Sequence, residues 1–520
     1  MFSEMAELFA ALWSPRESFR TLTFWGALST CVYIMGLLNA AHAIMNVRLS
    51  QSAIAWSVFL VTTPWVGIPA YWVFGRRKFN GYTNSLRRAR AACEADINLM
   101  RKSLAPHVSN LPQPLTPLQA YASKFTPIPF VDGNTVRLLV DGEATYGAMF
   151  EAIENAREYV FLQTYILDGD ATGRKFLSAL SNARERGVHI CLLYDDVGSF
   201  ALTQKFLRDA RSAGLLCAAF RTTKGRGNRF QLNFRNHRKI LVADGSVGFT
   251  GGLNIGDDQL GRNPSLGPWR DTHLRMEGPA VKGLESSFLS DWFWATDTLP
   301  YPSSPTPQGL SAEVHQGQMA SLEKQVDSPL DRVSPPVGNV PVLTLSTGPA
   351  DGIDICSLFI GALIDVARTR IWIATPYLVP DEPTLAALKS AALRGVDVRI
   401  LVPAHSDHFI LHFCSISFYE EFERVGVKIF AYRKGFMHQK AFVFDDLVAA
   451  VGTANFDNRS FHLNFEVMAY VANATFVSEV ADMLARDFEA SDAVDLGQYE
   501  RLSLPKQVMV KCARLFSAIL

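Results

Sequence analysis

The chain reads as an α/β protein made of two tandem domains of the same design, set behind an amino-terminal apolar hairpin. Three observations carry that reading. Strand-like and helix-like stretches alternate in the same order in two parts of the chain. One unusual polar constellation is written twice, about 200 residues apart. Two long uncharged runs precede both copies.

The apolar runs come first. Residues 21–47 contain no Asp, Glu, Lys or Arg, and after Arg48 a second uncharged run spans 49–75. Each exceeds the ~20 residues that a helix needs to cross a hydrocarbon core. The second carries Pro64 and Pro69, so it is expected to span with a kink. Its Trp56, Trp65, Tyr71 and Trp72 are residue types of the lipid headgroup level. Only Arg48 separates the runs, whereas Arg76, Arg77, Lys78, Arg87, Arg88, Arg90, Arg101 and Lys102 follow the second. The excess of cations marks the cytoplasmic side, which places both hairpin ends and all later residues there. Two consecutive long runs do not fit a cleaved signal peptide. The segments expected here are 1–20, spans 21–47 and 49–75, and a basic connector 76–128.

The first α/β half is expected over 129–300. It runs TVRLLVD, a helix through EATYGAMFEAIENARE, YVFLQTYIL, a helix through KFLSALSNARERG, then VHICLLYD. The second, over 340–500, repeats the order with VPVLTLS, CSLFIGALIDVART, RIWIATPYLV, TLAALKSAALRG and VDVRILVP. Arg186-Gly187-Val188 and Arg394-Gly395-Val396 both stop a helix on glycine and open a strand. Buried strands feeding helices imply a mostly parallel or mixed sheet with helices on its faces. Residues 301–339 are rich in Pro, Ser and Gln and read as a linker. After the second half, residues 501–520 form an amphipathic tail with a basic rim, suited to a membrane surface or to the protein's own core.

Bulk properties narrow the chemistry. The formal charge is zero, so nothing global favours nucleic acid. Hydrophobic residues make up 48% of the chain, high for a wholly soluble enzyme. Seven scattered cysteines without a CxxC pair fit reduced thiols rather than a disulfide framework or a zinc cluster.

The duplicated constellation is HxKxxxxD. His237, Lys239 and Asp244 stand in HRKILVAD, and His438, Lys440 and Asp445 stand in HQKAFVFD. Each histidine is followed 17 residues later by an asparagine, Asn254 or Asn455. On a strand, residues two apart share a face, so each histidine points with its lysine. Burying an ammonium beside an imidazole is costly without an anion. Two such strands face to face would make a cage for a phosphodiester. The lysines and amides would hold phosphate oxygens, one imidazole would attack phosphorus, and the other would protonate the leaving alkoxide. A histidine needs an acceptor to fix its tautomer. Asp271 in WRDTHLRMEG and Glu466 in LNFEVMAY are placed to serve, one for each imidazole. Asp244 and Asp445 end their strands, where tying down a turn competes with a direct catalytic role. Interleaved lysines oppose a bound cation, so no metal site is expected.

These residues resemble the signature of the phospholipase D superfamily, and the chain resembles its bacterial cardiolipin synthases in particular. The segments that carry this are RNHRKILVADGSVGFTGGLNIGDD, PWRDTHLRMEGPAV and GFMHQKAFVFDDLVAAVGTANFDNRSFHLNFE, with the second apolar run and the tail. The resemblance implies two phospholipase D-like domains with a shared active site at their interface. It implies phosphatidyl transfer between two phosphatidylglycerol molecules through a phosphohistidine, giving cardiolipin and glycerol. It further implies membrane lipid as partner, no nucleic acid, no cofactor, and a multi-pass place in the bacterial inner membrane with the catalytic domains cytoplasmic. A hydrolase, or a transferase with another acceptor, is the alternative.

Overall fold

The computed structural model describes residues 15–47, 50–75, 78–300, 332–494, 497 and 501–517. Contacts divide the chain into two units, one of residues 1–79 with 225–233 and one of 80–224 with 234–520.

In the smaller unit the first apolar run forms one helix, α1 (Pro15–Asn46), of which Thr23–Asn46 is long and apolar enough to cross a membrane. The second run departs from expectation. It folds as α2 (Ser50–Thr62) and α3 (Pro64–Phe74), neither of spanning length alone. Pro64 has no N–H to continue the ladder, so the helix restarts there, while Pro69 is carried inside α3. The pieces pack on α1 through Ala40, Ala43, Leu60, Ile68 and Tyr71. His42 Nδ1 meets the Tyr71 hydroxyl at 2.8 Å and Trp72 Nε1 donates to Asn39 Oδ1 at 2.8 Å. Gly36 permits this closeness, since a Cβ there would lie 2.5 Å from the Leu60 carbonyl oxygen.

Among the described residues, the larger unit is built on one mixed, 16-stranded sheet, with Arg235–Asn236 joined to it off the main strand order. From its outer edge, the first half runs Leu216–Phe220, His189–Asp195, Tyr159–Thr164, Ile240–Ala243, Val247–Gly251, Thr272–Glu277 and Val131–Val140. Inside an extra edge strand, Ser491–Ala493, which pairs antiparallel with its neighbour, the second half runs Lys428–Tyr432, Asp397–Pro403, Arg370–Ala374, Ala441–Phe444, Val448–Gly452, Asn464–Val471 and Val340–Thr347. The two orders mirror each other. In each, the first three strands named are parallel and the later pairings antiparallel. Val131–Val140 pairs antiparallel with Val340–Thr347, Val131 opposite Val342, and joins the halves into one sheet.

Buried apolar residues on the helix-covered faces form a core in each half. Residues 301–331 of the expected linker lie outside the described residues. The tail helix Leu504–Arg514 buries Val510 and Ala513, and Arg514 Nη1 donates to the Ser417 carbonyl at 2.9 Å. Leu504, Val508 and Leu515 remain exposed, so the tail both packs on the protein and presents an apolar face.

Candidate active site

Two short parallel pairings cross between the halves. Arg235–Asn236, just before His237, pairs with Asn464 and Phe465, just before Glu466. Phe436–Met437, just before His438, pairs with Trp269 and Arg270, just before Asp271. Each histidine then donates its backbone amide across the same seam: His237 N to the Phe465 carbonyl at 2.9 Å, and His438 N to the Arg270 carbonyl at 2.8 Å.

The side chains follow. His237 Nδ1 donates to Glu466 Oε2 at 3.0 Å, and His438 Nδ1 donates to Asp271 Oδ2 at 2.8 Å. The sequence supplies two orienting carboxylates; the fold assigns each to the histidine of the opposite half. A proton on Nδ1 leaves Nε2 as the reactive nitrogen of both rings. Glu466 also accepts from Thr453 Oγ1, Ser460 Oγ and Asn464 Nδ2, and Asp271 accepts from its neighbour's amide, Thr272 N, at 2.7 Å. Asp271 is one methylene shorter than Glu466, and the turn beside it comes correspondingly close: a Cβ on Gly252 would fall 2.0 Å from Asp271 Oδ1.

Both lysines are buried with their histidines. Lys239 Nζ donates to the His237 carbonyl at 2.8 Å, and Lys440 Nζ donates to His438 Nε2 at 2.9 Å. Burial pushes His237 and His438 down to about 4, with the neighbouring lysines adding to it against the pull of Glu466 and Asp271. Burial likewise lowers Lys239 to about 7 and Lys440 to about 8. Burial alone would raise Asp271, but its bond to His438 and the charges of His438 and Lys440 draw it down to about 2. Lys239 feels Asp271 and Lys440, and His438 feels Lys239, so the groups of both motifs share one electrostatic environment. Burial, more than like charge, disfavours the cations here, and a bound phosphate would favour their charged forms.

The asparagines differ in their anchoring. Asn254 Oδ1 accepts from Ile166 N at 3.1 Å, which leaves the amide nitrogen as its donor end, while Asn455 Oδ1 is buried with no hydrogen-bond partner among the described residues. Asp244 and Asp445 require a correction. Both sit at positive φ, 51° and 52°, where Asp is tolerated better than most residues. Asp244 accepts from the amides of Arg157, Glu158 and Tyr159, each at 2.8 Å. Asp445 accepts from those of Arg368, Thr369 and Arg370. These carboxylates clamp the far end of the motif strand to the start of its neighbour and are spent on backbone, away from the imidazoles.

Sequence reasoning missed the residue inside each HxK. Arg238 forks onto Asp291 at 2.8 and 2.9 Å and donates to the carbonyls of Glu466 and Thr347 in the other half. Gln439 donates to Asp487 and accepts from Thr272 across the seam, and Arg270 forks onto the same Asp487 at 2.9 and 2.8 Å. Strand alternation was the available signal: a charged or amide residue between two site residues must face the opposite layer. Rings were missed too, with Tyr165 against His237 at 5.0 Å and Trp269 against His438 at 5.2 Å. Among the described residues, no group of three or more His, Cys, Asp and Glu is arranged to hold a metal ion.

A family described as cardiolipin synthase, phospholipase D-like domain, matches the chain twice, over residues 149–292 and 360–489. The chain belongs to that family. Cardiolipin synthase A of Pseudomonas putida strain W619 is 40% identical over 504 residues, covering 96% of this chain and 98% of its own. Cardiolipin synthase A of Pseudomonas aeruginosa strain LESB58 is 40% identical over 514 residues, covering 97% and 98%. The chain is thus a phosphatidyltransferase of the cardiolipin synthase type. Phosphatidylserine synthase from Haemophilus influenzae Rd KW20 shares the fold, with a TM-score of 0.58 at 14% identity, over 77% of this chain and 98% of that one.

Proposed function

We propose that the two halves share one active site, and that it transfers the phosphatidyl group of one phosphatidylglycerol to a second, giving cardiolipin and glycerol. The observation that carries this is the crossed pairing of His237 with Glu466 and His438 with Asp271, because neither half holds a histidine together with its orienting carboxylate.

One imidazole attacks phosphorus through Nε2 as the phosphorus–glycerol oxygen bond breaks. The other imidazole enters as the imidazolium, a form that the negative charge of the bound phosphodiester favours, and gives its Nε2 proton to the departing glycerol oxygen, leaving a phosphatidyl-histidine. That same imidazole, now neutral, takes the proton from the terminal hydroxyl of the second phosphatidylglycerol. The new phosphorus–oxygen bond forms as the phosphorus–nitrogen bond breaks, which returns both rings to their starting state. Lys239, Lys440 and the donor ends of Asn254 and Asn455 hold the phosphoryl oxygens as charge gathers on them. Asp244 and Asp445 serve this chemistry by fixing the motif strands. A phosphodiester is exchanged for a phosphodiester, so the reaction needs no nucleotide to drive it.

Both substrates are lipids of the membrane surface. The apolar α1, with α2 and α3 as a broken second leg, is read as a hairpin anchored in the bacterial inner membrane. The cations after it put the catalytic halves on the cytoplasmic side. The domain limits given from the sequence stand as part of this proposal.

Purified full-length protein in vesicles of defined phosphatidylglycerol is expected to release glycerol and form a lipid with two phosphates, identified by mass spectrometry. Phosphatidic acid as the sole product would replace transfer with hydrolysis.

A further inference from the structure

The residues on either side of His237 share one buried anchor. Asp291, fully buried in the helix Val281–Thr296, accepts from Arg238 Nη1 at 2.8 and 2.9 Å and from Asn236 Nδ2 at 2.8 Å. Gln163 Nε2 bridges the group, donating to Asp291 at 2.7 Å and to Asn236 Oδ1 at 2.8 Å. Asn236 and Arg238 alternate with His237, so Asp291 grips this stretch from the layer behind the imidazole. The same guanidinium reaches the backbone of the orienting carboxylate, with Arg238 Nε donating to the Glu466 carbonyl at 3.1 Å. One carboxylate thus steadies both His237 and the residue that orients it.

A further donor to Asp291 comes from outside the two α/β halves. Tyr82 lies on the helix Asn80–Ala92, in the basic connector, and its hydroxyl donates to Asp291 Oδ1 at 2.6 Å. Burial raises Tyr82 well above its ordinary value and Asp291 adds to this, so the phenol keeps its proton and stays a donor. Its ring centroid lies 4.6 Å from that of Phe465, whose carbonyl accepts from His237 N. The next residue, Thr83, donates its hydroxyl to the Ala350 carbonyl at 3.3 Å. The connector helix therefore straddles the seam, touching the first half at Asp291 and the second at Phe465 and Ala350. The two histidines differ in this respect. Asp487, the buried anchor behind His438, takes Arg270 and Gln439, which both belong to the halves themselves.

We propose that Tyr82 is a positioning residue for His237, acting through Asp291, so that the connector helix helps to place one imidazole of the pair. This deepens the shared-site reading above and rests on it. The hydroxyl holds one oxygen of Asp291 against rotation, which keeps Asn236 and Arg238, and with them the imidazole, in line with Glu466. Without it Oδ1 turns toward Arg238, and His237 shifts against the phosphorus it must meet. About 1 Å of misplacement costs on the order of 100-fold in rate, so a fraction of that is measurable.

The test uses the full-length enzyme. Y82F removes the hydroxyl and keeps the ring, whereas Y82L removes both. In phosphatidylglycerol vesicles, kcat of Y82F for cardiolipin formation is expected to fall roughly tenfold with KM held within about twofold, the split that marks lost placement in the transition state. In detergent-solubilised protein carrying isotope-labelled histidine, ring signals are assigned through H237N and H438N. There Y82F is expected to move the His237 signals and leave those of His438 in place. Wild-type kcat in Y82F beside a loss in Y82L would assign Tyr82 to packing alone and overturn the proposal. So would His237 signals that stay fixed, or signals of both rings that move equally. A wild type that forms no cardiolipin overturns the transfer reading alone, and the histidine signals, which need no turnover, then decide the link.

Discussion

Replacing Asp271 with asparagine tests the crossed pairing at its stronger link. The carboxylate lies 2.8 Å from His438 Nδ1 and is fully buried. In the proposed reaction His438 passes through a positively charged state, either as imidazolium or as phosphohistidine, and Asp271 is the anion placed to meet it. Two unit charges about 4 Å apart interact by ~4 kcal/mol at an effective dielectric of 20. Loss of that interaction alone lowers kcat by about 10³-fold. The amide of the D271N variant is near in shape to the carboxylate, so substrate binding is expected to hold within about threefold, as for an interaction made in the transition state. It also keeps an oxygen for Thr272 N, so the fold survives. The assay is glycerol release from phosphatidylglycerol in vesicles, with KM, kcat and a thermal melt recorded for the same preparation. A D271N enzyme with kcat within a few fold of wild type would refute the role given to Asp271 and the pairing across the seam with it.

Other consequences follow from the same geometry. D244A strips the acceptor from three backbone amides and strains a residue at positive φ, so it is expected to cost about 2–4 kcal/mol in denaturant unfolding while the folded fraction keeps its turnover. R270M leaves Asp487 and Asp141 without their cation and should destabilise the protein by about 3–5 kcal/mol, read as a drop in Tm. His237 and His438 are held down to about 4 from the ordinary 6.5, so between those values the unfolded chain binds protons that the folded chain refuses. Stability should therefore fall as pH drops from about 6.5 to about 4, and an H237N/H438N double variant should flatten that limb of the Tm profile. A reporter active only outside the cytoplasm should work when fused near residue 48 and fail when fused after residue 78; the opposite pattern would invert the orientation.

Much of this molecule is written locally. The repeated strand and helix order, the two HxKxxxxD motifs and the later Asp271 and Glu466 are read from single stretches of sequence, although His237–Lys239, His438–Lys440 and Asp271 fall between named strands. Alternation along a strand suffices to pair each histidine with its lysine, because that geometry needs no knowledge of distant neighbours. The same local chemistry foretold a disturbance at Pro64, and the helix ends and restarts there.

Tertiary structure decided what joins one element to another. Which carboxylate serves which histidine is fixed by the pairings of Arg235–Asn236 with the strand of Glu466 and of Phe436–Met437 with Trp269–Arg270, between residues far apart in the chain. Either assignment satisfies the sequence equally, since a carboxylate and an imidazole attract in both. Asp244 and Asp445 show the converse: placed in a motif with catalytic residues, they are turned by backbone geometry onto amides that only the folded neighbour strand brings near.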